Sequence, residues 1–353
     1  MSQNVYVAGV GMTQFAKPGD NAPYTVMGVQ AVHDALKDAG LDYSQIQQAY
    51  VGYVYGDSTC GQNVLYKVGM SGIPVVNVNN NCSTGSSALF LARQAVQSGM
   101  VDCALALGFE QMQRGAISEI WTDRPSPFED FDSACATLVG RAEIPLALRY
   151  FGGAGKSHMD KYGTTLADFA AIRAKASRHA VNNPLALFRK ELSVEDAGRA
   201  MIWENVMTRS MACPPTCGAA AALVVSEDFA RKHGLRTDVL IGGQSMTTDT
   251  PSTFASQDMM QVVGYDMARA AAEAVYEQAG IGPDDVDVVE LHDCFAHNEL
   301  ITYEALGLCP EGGAQQFIAD GDNTYGGKVV TNPSGGLLSK GHPLGGYRAG
   351  TVL

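Results

Sequence analysis

The chain has 353 residues, 46% of them hydrophobic and 17% charged, and its formal net charge is −13. A charge this negative disfavours nucleic acid and anionic membranes as partners, and no apolar run reaches the roughly 18 residues that span a bilayer. The first residues lack the basic and apolar regions of a signal peptide, and eight scattered cysteines predict free thiols in a reducing compartment such as the cytoplasm.

The first predicted elements recur later in the chain. Residues 31–52 align without a gap with residues 271–292, and each copy predicts an amphipathic helix that ends in Ala-Gly, a turn and a β-run. The β-runs VYVAGVGMT and DVLIGGQSMT precede the two helices. The alternation predicts helices that cover mostly parallel sheets, and the duplication predicts a pseudo-twofold, layered α/β core.

Residues 76–96 place a cysteine where a strand gives way to a helix. Alternating Val and Asn at residues 76–79 are typical of a strand, and Ser83 and Thr84 offer capping hydroxyls for the helix that follows. Cys82 is therefore predicted to lie beside the N–H groups of a helix N-terminus, where the pKa of a thiol falls. It is a candidate nucleophile, with a buried structural cysteine as the alternative.

The less regular middle of the chain is predicted to be an insertion that covers a site. The expected segments are a first half at residues 1–112, an insertion and return to the core at 113–236, and a second half at 237–353. One helical stretch of the insertion concentrates basic residues: Arg173, Lys175, Arg178, Arg189 and Lys190. Such a cluster either binds an anionic small molecule or forms a solvated helix face.

Three more reactive side chains lie at loop positions of the second half. His292 and Cys294 stand between a predicted strand and a predicted helix, at the strand edge where α/β proteins bind ligands. His342 lies in a glycine-rich loop whose backbone can approach a ligand closely. Each residue alone also fits a structural role, but with Cys82 they supply the nucleophile, base and acid of a thiolate enzyme.

No motif predicts a bound metal or a permanently bound cofactor. Cys213 and Cys217 have metal-like spacing, but two prolines separate them and no second ligand pair accompanies them. In AGVGMTQF, Gln14 stands where the third glycine of a dinucleotide-binding fingerprint belongs.

Four stretches resemble the thiolases of the sterol-carrier-protein type: NNNCSTGSSAL, GYVYGDSTCGQ, HDCFAHNELITYEALGLCPEG and NTYGGKVVTNPSGGLLSKGHPLGG. The similarity covers nearly the whole chain. It implies an α/β thiolase fold, in which two duplicated βαβαβαββ-type halves form a layered α/β/α/β/α core. It also implies that the insertion is a loop domain that binds coenzyme A.

The resemblance assigns a role to each candidate residue. Cys82 would attack the 3-oxoacyl-CoA, and its backbone N–H would be a donor in the second oxyanion hole. His342 would activate Cys82 and line the first oxyanion hole. His292 would hold a water in that hole, and Cys294 would be the acid/base that protonates the departing carbanion. Arg178 becomes a candidate for binding the CoA phosphates.

Two features depart from the family pattern. Cys217 stands where the family usually has Asp, in a loop that flanks the CoA pantetheine in relatives. The chain also ends at Leu353, shortly after GHPLG, where relatives continue through a helix and two strands. We expect the second half to lack these elements, and a frameshift after about Gly345 would explain the divergence.

The leading functional hypothesis is thiolysis of a 3-oxoacyl-CoA with a bulky, branched or sterol-derived chain to a shortened acyl-CoA plus acetyl- or propionyl-CoA. One alternative is a retro-aldolase acting on steroid side-chain CoA thioesters, although those relatives carry tyrosines in place of Cys294 and His342. The other is a catalytically dead, truncated thiolase-like protein. The implied partners are acyl-CoA and CoA as co-substrate, with a homodimer, a tetramer or a complex with a small accessory protein, and a eukaryotic member would be peroxisomal.

Overall fold

The computed structural model describes residues 3–113, 121–140 and 144–346. The strands are β1 Val5–Met12, β2 Gln48–Gly52, β3 Val75–Val78, β4 Cys103–Glu110, β5 Met201–Trp203, β6 Met207–Thr208, β7 Gly218–Ser226, β8 Val288–Val289 and β9 Val330–Thr331. The helices are α1 Tyr24–Ala39, α2 Cys60–Val68, α3 Thr84–Gln97, α4 Glu129–Val139, α5 Leu146–Tyr162, α6 Leu166–Val181, α7 Val194–Ala197, α8 Glu227–His233, α9 Ser252–Ala255, α10 Met259–Val262, α11 Tyr265–Ala279, α12 Ala296–Ala305 and α13 Ala314–Ala319. The divergence predicted after about Gly345 lies outside the described residues, except for Gly346.

The described chain divides into two compact units. Unit 1 contains residues 3–113, 214–244 and 341–346, and unit 2 contains residues 121–140, 144–213 and 245–340. The predicted three-segment division at residues 112 and 236 stays a prediction. Among the described helices, none has the length and apolar character that a bilayer crossing requires.

The core of unit 1 is a five-stranded sheet in the order β1-β7-β4-β2-β3. Along β4, Leu105 and Leu107 pack into one hydrophobic cluster with residues of α1, whereas Ala104 and Ala106 pack into another with residues of α3. Successive side chains of a strand point to opposite faces, so α1 covers the face with large residues and α3 covers the face with alanines. All of β4 and β7 is buried as a result.

The strand directions differ from the mostly parallel sheets predicted by the sequence. β2 pairs with β3 and β4 in parallel, but β7 lies between β1 and β4 and is antiparallel to both. β7 follows the long segment of unit 2 at 144–213, so its direction is not set by a short β-α-β crossover. Within the five-stranded sheet, the parallel arrangement holds only for β2, β3 and β4, whose C-terminal ends share one edge.

The predicted repeat is confirmed. α1 and α11 end at Gly40 and Gly280, and both glycines have φ 68° and ψ 31° in the left-handed region. A 3₁₀ turn and then a strand follow each helix, at Tyr43–Gln45 and β2 in the first copy and at Pro283–Asp285 and β8 in the second.

Two predicted strands of the second half are shorter than expected. DVLIGGQSMT forms a single bridge, between Leu240 and Tyr6, and the predicted strand around VDVVELH is reduced to β8. β8 pairs with β9 over two residues, and among the described residues of unit 2 no other strand pairs with β8. A β-run becomes a long strand only where a neighbouring strand accepts its hydrogen bonds.

Candidate active site

Cys82 lies where the sequence predicts it, in the short turn Asn81–Ser83 between β3 and α3. Its side chain is partly buried, and its Sγ lies 3.7 Å from Oδ1 of Asn81. Asn81 has φ +48°, a backbone region that Asn tolerates better than most residues. The turn therefore presents the thiol directly in front of a fourteen-residue helix.

The capping contacts in this turn differ from the prediction. The hydroxyls of Ser83 and Thr84 donate to the carbonyl oxygens of Asn80 and Asn81 and do not accept helix N–H groups. Thr84 Oγ1 accepts instead from the Asn80 N–H at 2.8 Å. These bonds close the turn on itself, so the hydroxyls hold the cysteine loop rather than capping the helix.

His342 lies in the predicted glycine-rich loop, and the structure buries it: its exposed fraction is 4%. Its backbone forms a parallel bridge with Pro215, and its N–H donates to Thr216 Oγ1 at 3.0 Å. The segment just before β7 and the loop of His342 thus belong to the same unit although they are far apart in sequence.

The structure brings Cys82 and His342 together. The Sγ of Cys82 and a ring nitrogen of His342 lie within 4.8 Å of one another. An imidazole at this distance from a thiol can exchange a proton with it after a small movement or through one water. Within unit 1, this pair joins the candidate nucleophile and its candidate base.

Glu110 is a site residue that the sequence analysis missed. Its carboxylate is fully buried at the end of β4 and accepts the N–H groups of Val54, Tyr55 and Gly345 at 3.0, 2.9 and 3.2 Å. Burial raises the pKa of Glu110, against the lowering effect of these backbone bonds. A charged residue at the end of the otherwise apolar stretch CALALGFE is the sequence signal that identifies it.

His292 and Cys294 lie in unit 2, between β8 and α12 as predicted. The His292 carbonyl accepts the side-chain N–H of Asn298 at 2.6 Å, and the Cys294 carbonyl accepts the Cys213 N–H at 2.9 Å. Cys294 is 3% exposed. The backbone of this segment is therefore fixed by hydrogen bonds at both residues.

Asp293, between them, is a second residue that the sequence analysis did not single out. Its carboxylate is completely buried and accepts the N–H groups of Leu337 and Leu338 at 2.7 and 3.3 Å. Burial, and then the nearby Glu299, raise the pKa of Asp293 to about 8.

The basic residues of the insertion do not form one exposed cluster, so that expectation is wrong for two of them. Arg173 and Lys175 are buried inside unit 2 and contact Ser339 and Glu299, respectively. The cause is that α6 is enclosed around most of its circumference, with residues 172–177 all buried, whereas Arg178 is exposed.

Fold and site define an α/β protein in which a thiol and an imidazole lie together beside the C-terminal edge of three parallel strands. Comparison with family models shows to which family the chain belongs. The thiolase N-terminal domain matches residues 5–192, and the thiolase C-terminal domain-like model matches residues 248–350. The chain belongs to the thiolase family, as the sequence motifs predicted.

Curated relatives agree with this membership. Sterol carrier protein 2 of Rattus norvegicus is 51% identical over 345 residues, which cover 97% of this chain but only 63% of that protein. Non-specific lipid-transfer protein-like 2 of Caenorhabditis elegans is 44% identical, with 97% of this chain and 84% of the relative covered. Benzoylsuccinyl-CoA thiolase subunit BbsB of Thauera aromatica is 35% identical, with 100% and 88% covered.

Solved structures show the same fold. The Ltp2-ChsH2(DUF35) aldolase matches with a TM-score of 0.80 at 23% identity, over 96% of this chain and 86% of that chain. Human mitochondrial 3-ketoacyl-CoA thiolase in complex with CoA matches with a TM-score of 0.69 at 19% identity, over 99% and 89%. At these identities the likeness establishes the thiolase fold and nothing finer.

Proposed function

We propose that this protein is an acyltransferase that cleaves 3-oxoacyl-CoA by thiolysis. The observation that carries the proposal is the pair formed by Cys82 and His342, at most 4.8 Å apart at a strand-to-helix turn of a thiolase-family chain. Such a pair suits a thiolate nucleophile, because the imidazole can take the thiol proton when the sulfur attacks.

The reaction has two half-reactions. In the first, the Cys82 thiolate attacks the 3-oxo carbon, the bond between C2 and C3 breaks, and the acyl group stays on sulfur as a thioester. The C2 carbanion takes a proton and leaves as acetyl- or propionyl-CoA. In the second, the thiol of a new CoA loses its proton, attacks the acyl-enzyme and leaves as the shortened acyl-CoA. Ping-pong kinetics follow from the covalent intermediate.

Cys294 is proposed as the acid that protonates the C2 carbanion, and His292 as the residue that holds a water for the oxyanion. The resemblance to sterol-carrier-protein-type thiolases supports both roles, and the backbone bonds that fix this segment are compatible with them. A thiol can donate a proton to the C2 carbanion, because the usual pKa of a thiol, about 8.5, lies near the working pH.

Coenzyme A is proposed as the co-substrate, and the segment at residues 113–236 as its loop domain. Arg178, exposed on α6, is the candidate for the CoA phosphates. We propose a homodimer, and an acyl chain that is bulky, branched or sterol-derived.

Mass spectrometry after incubation with a plain acyl-CoA tests the proposal. We expect one acyl adduct, on Cys82, and none on the Cys82→Ala variant. Cys309→Ala is the matched control, because burial raises the pKa of Cys309 to about 12 and makes that thiol unreactive. An adduct on another residue of the Cys82→Ala variant overturns the assignment of the nucleophile.

A second assay separates thiolysis from aldol cleavage. With 3-oxoacyl-CoA and free CoA, thiolysis releases two acyl-CoA products, whereas a retro-aldolase acts on a hydroxylated thioester and releases a carbonyl compound. Release of a carbonyl compound without any acyl-enzyme replaces the proposed function with the aldolase.

A further inference from the structure

The loop that carries His342 is tied to a buried carboxylate on each side in sequence. After His342, the Gly345 N–H donates to Glu110 Oε2 at 3.2 Å, within unit 1. Before it, Leu337 and Leu338 donate to the two oxygens of Asp293 at 2.7 and 3.3 Å, within unit 2. Both carboxylates belong to residues with 0% exposure.

Core packing alone does not account for acids at these places. A buried carboxylate is costly unless hydrogen bonds satisfy it, and neither Glu110 nor Asp293 has a cation within salt-bridge distance among the described residues. Each instead accepts only backbone N–H groups of loops, so its effect is to fix the course of the backbone.

Each carboxylate also connects two backbone segments within its own unit. Glu110 accepts from Val54 and Tyr55, in the loop after β2. Asp293 stands in sequence between His292 and Cys294, so one side chain couples that segment to the turn Gly336–Lys340.

The turn Gly336–Lys340 is held from α6 and the segment after it as well. Arg173 Nη1 donates to Ser339 Oγ at 2.7 Å. The carbonyls of Ser339 and Lys340 accept the N–H groups of Phe188 and Leu187 at 2.9 and 3.0 Å. Lys340 is the last residue of this turn, and Gly341 and His342 follow it in the chain.

We propose that Glu110 is a positioning residue for His342, which holds the loop of the imidazole beside Cys82 within unit 1. This inference rests on the proposed function, in which His342 activates Cys82. Glu110 acts through the backbone N–H of Gly345, which follows His342 in the same loop. A displacement of about 1 Å at a reacting group can cost on the order of 100-fold in rate, so a fixed loop is mechanistically useful.

The rate of alkylation of Cys82 by iodoacetamide, measured against pH by peptide mass mapping, tests the proposal. His342→Ala should slow alkylation near neutral pH by about tenfold, because the thiolate loses its partner. Glu110→Gln keeps the side-chain shape but replaces one acceptor oxygen by an NH₂ group, and it should slow alkylation by about threefold or more.

The decisive variant combines Glu110→Gln with His342→Ala. If Glu110 acts through His342, its substitution should not change the alkylation profile further once the imidazole is gone. Glu304→Gln is the matched control, because Glu304 is a buried carboxylate of unit 2 that accepts the Ala314 N–H at 3.2 Å outside this loop. It should leave the alkylation profile unchanged.

The outcomes separate the two levels of the argument. If His342→Ala leaves Cys82 unaffected, the pairing itself is wrong and the positioning role falls with it. If His342→Ala slows alkylation but Glu110→Gln does not, only the positioning role is overturned, and additive effects in the combined variant overturn it equally.

Amide hydrogen exchange of the unsubstituted protein gives a second measurement that needs no variant. Gly345 should exchange slowly, since its N–H group is buried and bonded to Glu110. Exchange at the rate of an open loop overturns the proposal.

Discussion

Cys82 Sγ and a ring nitrogen of His342 lie within 4.8 Å of one another because the His342 loop follows the edge at which β2, β3 and β4 end. Gly345 binds Glu110 at the end of β4 and packs so closely on the end of β2 that an added Cβ would lie 2.6 Å from the Gly52 carbonyl oxygen. Cys82 follows β3, the neighbour of β2. The C-terminal edge of parallel strands is where α/β proteins place ligands, and here it gathers the thiol and the imidazole.

Cys294→Ala should separate the two chemical steps. Acylation of Cys82 by a plain acyl-CoA needs no carbon acid and should be retained, whereas cleavage of 3-oxoacyl-CoA should fall by about 100-fold or more. Adduct mass and the release of acetyl- or propionyl-CoA measure the two steps, with Cys309→Ala as the control that keeps both. Equal loss of both steps in a folded variant contradicts the acid/base role.

Asp293→Asn should change how stability depends on pH. The pKa of Asp293 is raised to about 8 by burial, while Glu299, Glu290 and the opposing charge of Arg173 lie around it. An unfolded Asp loses its proton near pH 4, so this group's contribution is present below about pH 4 and lost as the pH rises towards 8. Between about pH 5 and 8 the unsubstituted protein should lose more stability than the variant, on the order of a few kcal/mol.

Urea unfolding across this pH range is the measurement. Cys309→Ala, which changes no carboxyl group, should follow the unsubstituted protein. Parallel pH profiles for Asp293→Asn and the unsubstituted protein would show that Asp293 ionises normally.

Removing one partner of the buried ion pair between Lys175 and Glu299 should lower the free energy of unfolding far more than removing one partner of an exposed pair. Lys175 is 2% exposed, and its Nζ contacts Glu299, Thr331 and the hydroxyl of Tyr303. Glu299→Gln leaves a buried cation and should cost about 3–5 kcal/mol of unfolding free energy. Glu195→Gln, which removes an exposed partner of Arg199, should cost less than about 0.5 kcal/mol. Similar losses for both variants would contradict this ranking.

Gly40→Ala and Gly280→Ala should have equal effects, because the repeat gives both glycines the same left-handed backbone. An added Cβ meets no atom within 4 Å at either position, so the cost is conformational alone, about 1 kcal/mol each. Asn should cost less than Ala. Chemical denaturation measures these values, and Gly198→Ala, at φ −77°, is the control expected to stay within about 0.5 kcal/mol. Unequal losses at the two glycines would contradict the equivalence.

Local pattern was sufficient to predict much of the architecture. The repeat, its paired helix ends and the helix that starts after Cys82 follow from short-range periodicity and from Gly at helix C-termini, whose preferences act over a few residues. The long motifs predicted the thiolase family, which the family models confirm.

Only the tertiary structure decided how distant segments combine. Strand pairing sets the antiparallel β7 and leaves DVLIGGQSMT with one bridge, since a strand forms where a partner accepts its hydrogen bonds. Packing turns Arg173 and Lys175 inward, although composition alone makes them look like a surface patch. The approach of His342 to Cys82, and the backbone bonds of Glu110 and Asp293 on either side of it, depend on contacts between residues far apart in the chain, which short-range patterns do not encode.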